Sequence, residues 1–81
     1  NNYPNPFNPA TDIRFYIADN SNVKLSIFNS SGQKVKELVN DRLNKGMHLM
    51  KFNAGDLNSG AYYYVLETEG NRLAEKMLLM K

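Results

Sequence analysis

Apolar and polar residues alternate along most of this chain with a period of two. The stretch from Ile13 to Ile17 alternates in this way, and the stretch from Val23 to Ile27 repeats the pattern. Successive side chains of a β-strand point to opposite faces, whereas a helix repeats about every 3.6 residues. Both stretches are therefore predicted to be strands with one buried face.

Four further strands are predicted between clusters of turn-forming residues. The segment Lys34–Val39 also fits about one and a half helical turns, but six residues are too few to hold a helix without strong caps. The residues Asn40 and Asp41 are expected in a loop, and Asn53–Gly60 in a turn-rich connection. The predicted strands are Lys34–Val39, Met47–Phe52, Ala61–Thr68 and Arg72–Met80.

Six or seven short strands without a convincing helix predict an all-β fold, an antiparallel immunoglobulin-like β-sandwich. The 81 residues are expected to form one domain, residues 1–81, in which residues 1–10 are a Pro/Asn-rich opening segment that cannot be helical. The predicted core consists of the apolar residues with matching parity: Ile13, Phe15, Ile17, Val23, Leu25, Ile27, Phe52, Tyr62, Tyr64 and Leu66.

Glycines mark the predicted turns. Gly32 ends the turn Asn29–Gly32 and suits a positive φ, which glycine adopts without a steric penalty. Gly46, Gly60 and Gly70 stand in the other turn sequences, and all four are expected to have structural roles.

Charge and composition exclude several classes of protein. Ten basic and eight acidic residues give a net charge of +2 without a basic stripe, so no nucleic-acid partner is expected. The longest apolar run, Met77–Met80, is far too short for a membrane span. The absence of cysteine excludes a disulfide scaffold. The chain has no signal peptide and no initiating methionine, and we expect it to be a piece of a longer protein.

No group of residues indicates catalysis. His48 is the only histidine, and one histidine without cysteine cannot form a zinc site of the usual kind. The acidic residues do not form a calcium-binding loop. A hydrolase with paired carboxylates is not excluded by sequence alone, but a domain of this size offers no deep cleft. We therefore expect no enzyme activity, no cofactor and no metal.

The tyrosines Tyr62, Tyr63 and Tyr64 favour, at first sight, a carbohydrate-binding appendage, because exposed aromatic rings stack on sugars. Alternation places Tyr62 and Tyr64 on one face and Tyr63 on the other, so at most one face could present a platform. The chain also lacks tryptophan. Carbohydrate binding remains an alternative.

The chain ends in an apolar run between two lysines. Such a run is either a strand buried on both faces or an exposed edge with which a partner associates. The candidate residues for partner recognition are Lys76, Met77, Leu78, Leu79, Met80 and Lys81.

Six segments of the chain together carry a resemblance to a known family: Asn2–Pro9, Thr11–Phe15, Phe28–Val35, Gly46–His48, Leu57–Tyr62 and Lys76–Lys81. These segments resemble the C-terminal sorting domain of proteins exported by the bacterial type IX secretion system, also described as the Por secretion tail. The chain is also similar to the immunoglobulin-like domain of the flagellar hook-capping protein, which shares the opening motif. Phe52 and Ala61 replace residues that are commoner in the family.

The resemblance implies a C-terminal secretion signal that directs a covalently linked upstream cargo through the periplasm and across the outer membrane, to the cell surface or the medium. It implies recognition by the type IX translocon. It also implies a surface sortase that removes such tails and attaches the cargo to anionic lipopolysaccharide. The alternative is a structural or assembly module like the hook-cap domain.

Overall fold

Two antiparallel sheets make up the part of the chain that the computed structural model describes, residues 2–3 and 10–80. No helix occurs within these residues, and the predicted immunoglobulin-like β-sandwich is confirmed. Most of the predicted opening segment and Lys81 lie outside the described residues. The strands are β1 (Asn2–Tyr3), β2 (Ala10–Ile17), β3 (Ser21–Asn29), β4 (Lys34–Leu43), β5 (Gly46–Asn53), β6 (Gly60–Thr68) and β7 (Asn71–Leu79).

The sheets have three and four strands. The smaller sheet has the order β1-β2-β5, and the larger has the order β4-β3-β6-β7. Every pairing is antiparallel. Within the described residues, β7 is therefore an edge strand that pairs with β6 alone.

The core lies between the two sheets, because each sheet turns its apolar positions inward. All of the predicted core residues are buried. The sequence pattern did not indicate Val39, Ala54, Met77 and Leu79, which join the same cluster. Burial of apolar surface is the dominant favourable term in folding, so this single layer holds the sheets together.

The strand β4 is longer than predicted. Asn40 and Asp41, which were expected in a loop, pair with Lys24 and Val23 of β3. Asparagine and aspartate are uncommon in strands because they compete for backbone hydrogen bonds. Here β4 is an edge strand and both side chains remain exposed, so the pairing with β3 outweighs their weak preference.

A cation closes one end of the core. The ammonium nitrogen of Lys36 on β4 lies 5.7 Å from the ring centroid of Phe52. It also donates a hydrogen bond to the backbone oxygen of Asn53 at 2.9 Å. The side chain of Lys36 thus covers the buried ring while its charge stays partly exposed.

The turn between β3 and β4 is organised by Asn29. Its side-chain oxygen accepts hydrogen bonds from the backbone nitrogens of Ser31 at 3.1 Å and Gln33 at 2.9 Å. Gly32 closes the turn with a φ of 84°, and Gly46, Gly60 and Gly70 also have positive φ.

We expect burial, rather than hydrophobicity alone, to decide the cost of leucine truncation. Leu25 is fully buried, and Leu25→Ala should lower the free energy of unfolding by about 2–5 kcal/mol. Leu49 is 53% exposed on β5, and the matched change Leu49→Ala should cost less than about 0.5 kcal/mol. Urea denaturation of both variants measures the difference. Equal losses would contradict the assignment of the core.

We expect Gly32 to be required for its backbone conformation and not for space. No atom lies within 4 Å of a Cβ added there, so a substitution meets only the penalty of positive φ. Gly32→Val should destabilise the domain by about 1–3 kcal/mol. Gly32→Asn should cost much less, since asparagine tolerates this region. Thermal unfolding distinguishes the two variants, and equal melting temperatures would show that φ at this turn does not matter.

Candidate partner-recognition site

The predicted recognition segment lies at the end of the edge strand β7. The strand starts after a tight turn at Glu69 and Gly70, and its pairing with β6 continues to Leu79. Lys81 is outside the described residues, so the structure describes the segment from Lys76 to Met80. Its backbone conformation is that of a strand up to Leu79.

Burial alternates along this segment. Met77 and Leu79 are 0% and 1% exposed and belong to the core. Leu78 and Met80 are 42% and 57% exposed, and Lys76 is exposed as well. The run is therefore neither buried on both faces nor free of the core. One face anchors the segment, and the other presents side chains to solvent.

The presented side chains join others on the outer face of the larger sheet. Directly opposite residues of an antiparallel pair lie on the same face. Lys76 pairs with Tyr63, and Tyr63 pairs on its other side with Phe28. Leu78 lies two positions along β7 on the same face. We call Phe28, Tyr63, Lys76 and Leu78 the outer patch.

A shallow groove adjoins the outer patch. It has a volume of about 390 Å³, and its lining includes Phe28, Tyr63, Val65 and Arg72. Alternation in the sequence predicted that Tyr63 lies on the opposite face from Tyr62 and Tyr64, but Phe28 was not predicted as part of this surface. The available signal was the parity of Phe28, which is opposite to that of its neighbour Ile27 in the core.

Lys76 is the cation of the outer patch. It has no ion-pair partner within 4 Å among residues 10–80, whereas Lys34 contacts Glu37 at 2.7 Å. The hydrogen bond from Lys34 lowers the pKa of the Glu37 carboxyl. Lys34 is thus engaged by a carboxylate, whereas the side chain of Lys76 is exposed on the sheet face.

His48 has a structural environment. Its ring stacks on that of Phe15, with the centroids 5.6 Å apart and the planes at 21°. Its Nε2 lies 2.7 Å from the backbone oxygen of Asn44, a carbonyl that can only accept, so Nε2 carries the proton. Nowhere in the described part of the chain do three potential metal ligands come together.

The tyrosine row does not form a platform for sugars. Tyr62 and Tyr64 are 7% and 0% exposed, which leaves Tyr63 as the exposed ring of the three. The hydroxyl of Tyr62 donates to the backbone oxygen of Asn58 at 2.7 Å, and that of Tyr64 donates to the Glu75 carboxylate. Burial, followed by the bond to Glu75, raises the pKa of Tyr64, so its hydroxyl stays protonated as a donor.

The site therefore consists of side chains suited to contact another macromolecule. An exposed apolar side chain, an aromatic ring and an exposed lysine lie on one sheet face. Aromatic residues are enriched at protein interfaces because they bury large areas and lose little conformational freedom. Residues 10–80 contain no helix that is long and apolar enough to cross a membrane.

Comparison with known proteins identifies the family. No curated protein matches the chain. A family model described as a secretion system C-terminal sorting domain matches residues 1–80, which is nearly the whole sequence. Members of this family mark proteins for export to the cell surface or for secretion across the outer membrane. The chain belongs to the C-terminal sorting domains of the type IX secretion system, which is a family of secretion signals and not a known enzyme family.

Proposed function

We propose that this domain is a folded sorting signal whose outer patch is recognised by the type IX translocon. The cargo is the polypeptide covalently linked upstream of the domain. Recognition occurs through protein–protein contacts made by Lys76, Leu78 and Tyr63, together with the exposed side chain of Met80. The domain itself performs no chemistry on the cargo.

The observation that carries the proposal is the alternation of burial at the end of β7. Because Met77 and Leu79 are held in the core, the backbone between them is fixed. The side chains of Lys76 and Leu78 are therefore displayed at a set spacing on a rigid strand. Such preorganisation lowers the entropy that a partner must remove on binding.

The composition of the outer patch fits a binding surface better than a plain solvated face. Leu78 and Tyr63 expose apolar surface on this face. Val65 lines the adjoining groove and is also apolar, but it is only 5% exposed. Apolar and aromatic anchors with a polar rim are typical of binding hot spots. Lys76 supplies a positive charge at the edge of the patch, so we expect the complementary surface of the partner to be acidic.

The proposal extends to the steps after translocation. A surface sortase removes the domain and joins the cargo to anionic lipopolysaccharide. The sortase must then act on the chain upstream of the sandwich, since the strands described above are paired and are not open to a protease.

Deletion of residues 76–81 should stop export, but this experiment alone does not decide the mechanism. It removes Met77 and Leu79 from the core, and each buried side chain contributes about 2–5 kcal/mol. A domain of 81 residues has little stability to lose, so deletion is expected to unfold it. A test of recognition must change exposed side chains alone.

We expect Leu78→Ser to block export without unfolding the domain. Leu78 is 42% exposed, so the change should alter the free energy of unfolding by less than about 1 kcal/mol. The full-length cargo should accumulate in the periplasm with its own activity intact. Fractionation of cells into periplasm, surface and medium measures the distribution, and the melting temperature of the variant verifies folding.

Leu49→Ser is the matched control for this prediction. Leu49 is 53% exposed and lies on the smaller sheet, away from the outer patch. A normally exported Leu78→Ser protein, or a block caused equally by Leu49→Ser, would contradict recognition by the outer patch. The variants Lys76→Ala and Lys81→Ala separate charge from apolar contact. If both are exported while Leu78→Ser is retained, the translocon reads the apolar side chain.

A further inference from the structure

One side of the sandwich has an open seam between the two sheets. Along β2, residues 14–17 pair with β5 on one edge. On the other edge, β1 reaches only Asp12 and Ile13, and no other strand of the described residues continues the pairing. Among the residues that the structure describes, half of β2 thus has one unpaired edge beside the interior of the sandwich.

A groove of about 460 Å³ lies at the end of this edge. It is lined by residues of both sheets, among them Tyr16, Ile17, Leu66 and Leu73. Leu73 pairs with Leu66, whose side chain is in the core, so both point toward the interior. Leu73 is nevertheless 50% exposed, whereas Met77 on the same face of β7 is fully buried. The inner face of β7 is therefore covered at its end and uncovered at its beginning.

We infer that the polypeptide immediately preceding residue 1 in the exported protein closes this seam. It lengthens β1 and pairs with residues 15–17 of β2 as an additional stretch of antiparallel strand. This inference rests on the family assignment, since a sorting domain is attached to a cargo. It does not depend on recognition by the outer patch.

The direction and register of β1 identify this occupant. Asn2 pairs with Ile13 and Tyr3 with Asp12, so the chain runs antiparallel to β2. Continued backward in the same register, the first residue before residue 1 lies opposite Phe15, the second opposite Tyr16 and the third opposite Ile17. No bend or crossover is needed, because the added strand continues a pairing that already exists.

The same register predicts the side chains of the added strand. Phe15 and Ile17 point into the core, and directly opposite residues share a face. The first and third residues before residue 1 therefore point inward over Leu73, where apolar side chains fit. The second points outward beside Tyr16, which is 63% exposed, and it can be polar. Closure would remove the exposed surface of Leu73 from water.

Strand addition at the seam would also orient the cargo. A paired segment leaves β2 in a fixed direction, whereas a free linker would let the domain tumble. The sorting domain and the first residues of the linker would then form one unit. A second copy of the chain could occupy the same edge, and the experiment below separates that case.

The full-length cargo protein provides the test through a pair of cysteines. The domain contains no cysteine, so an engineered disulfide can be assigned by peptide mapping. Tyr16→Cys is combined with a cysteine at the second residue before residue 1. Opposed residues of an antiparallel pair have Cα atoms about 4.5–5.5 Å apart, within the reach of a disulfide. We expect an intramolecular disulfide in most molecules under mild oxidation.

Met47→Cys with the same upstream cysteine is the matched control. Tyr16 and Met47 pair directly, and both are 63% exposed. Met47 lies one strand further from the seam, which places it about 10 Å from the upstream residue, too far for a disulfide. We expect this pair to form at least about tenfold less disulfide. Equal yields for the two pairs, no disulfide in either, or disulfide-linked dimers through a second copy would each overturn the inference.

Hydrogen exchange gives an independent measurement without a covalent trap. In the full-length protein, the amides of residues 15–17 that face the seam should exchange at least about tenfold more slowly than in a variant with proline at the three residues before residue 1. Equal exchange in the two proteins would overturn the inference. Both measurements use purified protein, so they do not depend on export. A failure of the outer patch as the recognition site would leave them unchanged.

Discussion

The packing of Met77 and Leu79 between the sheets is the contact on which the rest of this domain depends. These two side chains anchor the end of β7, an edge strand of the larger sheet, in the core. Without them, the end of β7 would be held by its pairing with β6 alone. With them, Lys76 and Leu78 are held on the opposite face of the same strand. The stability of the domain and the position of these exposed side chains therefore depend on the same short segment of β7.

This arrangement explains how a small folded domain can act as a sorting signal. One thin core fixes two surfaces that differ in character. The outer patch is formed by side chains on paired strands, and its composition suits contact with a protein. The seam exposes a strand edge and Leu73, and it is suited to a polypeptide. The first surface faces the export machinery in our proposal, and the second receives the chain that leads to the cargo.

Much of the fold could be predicted from the sequence, because period-two alternation specifies which face of each strand is buried. The stretches around Phe15, Leu25 and Tyr64 show this directly. The length of β4 could not be predicted, since Asn40 and Asp41 are tolerated only because β4 lies at a sheet edge. The four apolar residues Met77–Met80 also gave no alternation to read, so the division of that run between core and solvent required the structure. The open seam was equally hidden, because it depends on how far β1 reaches along β2.

The most direct test of the account asks whether the translocon recognises the folded surface of the domain or the linear sequence of residues 76–81. Residues 1–81 are fused to the C-terminus of a periplasmic reporter in a bacterium with a type IX system, and the reporter is measured in periplasm, surface and medium. Leu25→Asp places a charge in the core and should unfold the domain while leaving residues 76–81 intact. The account predicts export of the reporter with the native domain and its retention in the periplasm with the Leu25→Asp domain. Equal export of the two fusions would show that the unfolded segment is sufficient, and it would contradict recognition of the folded domain.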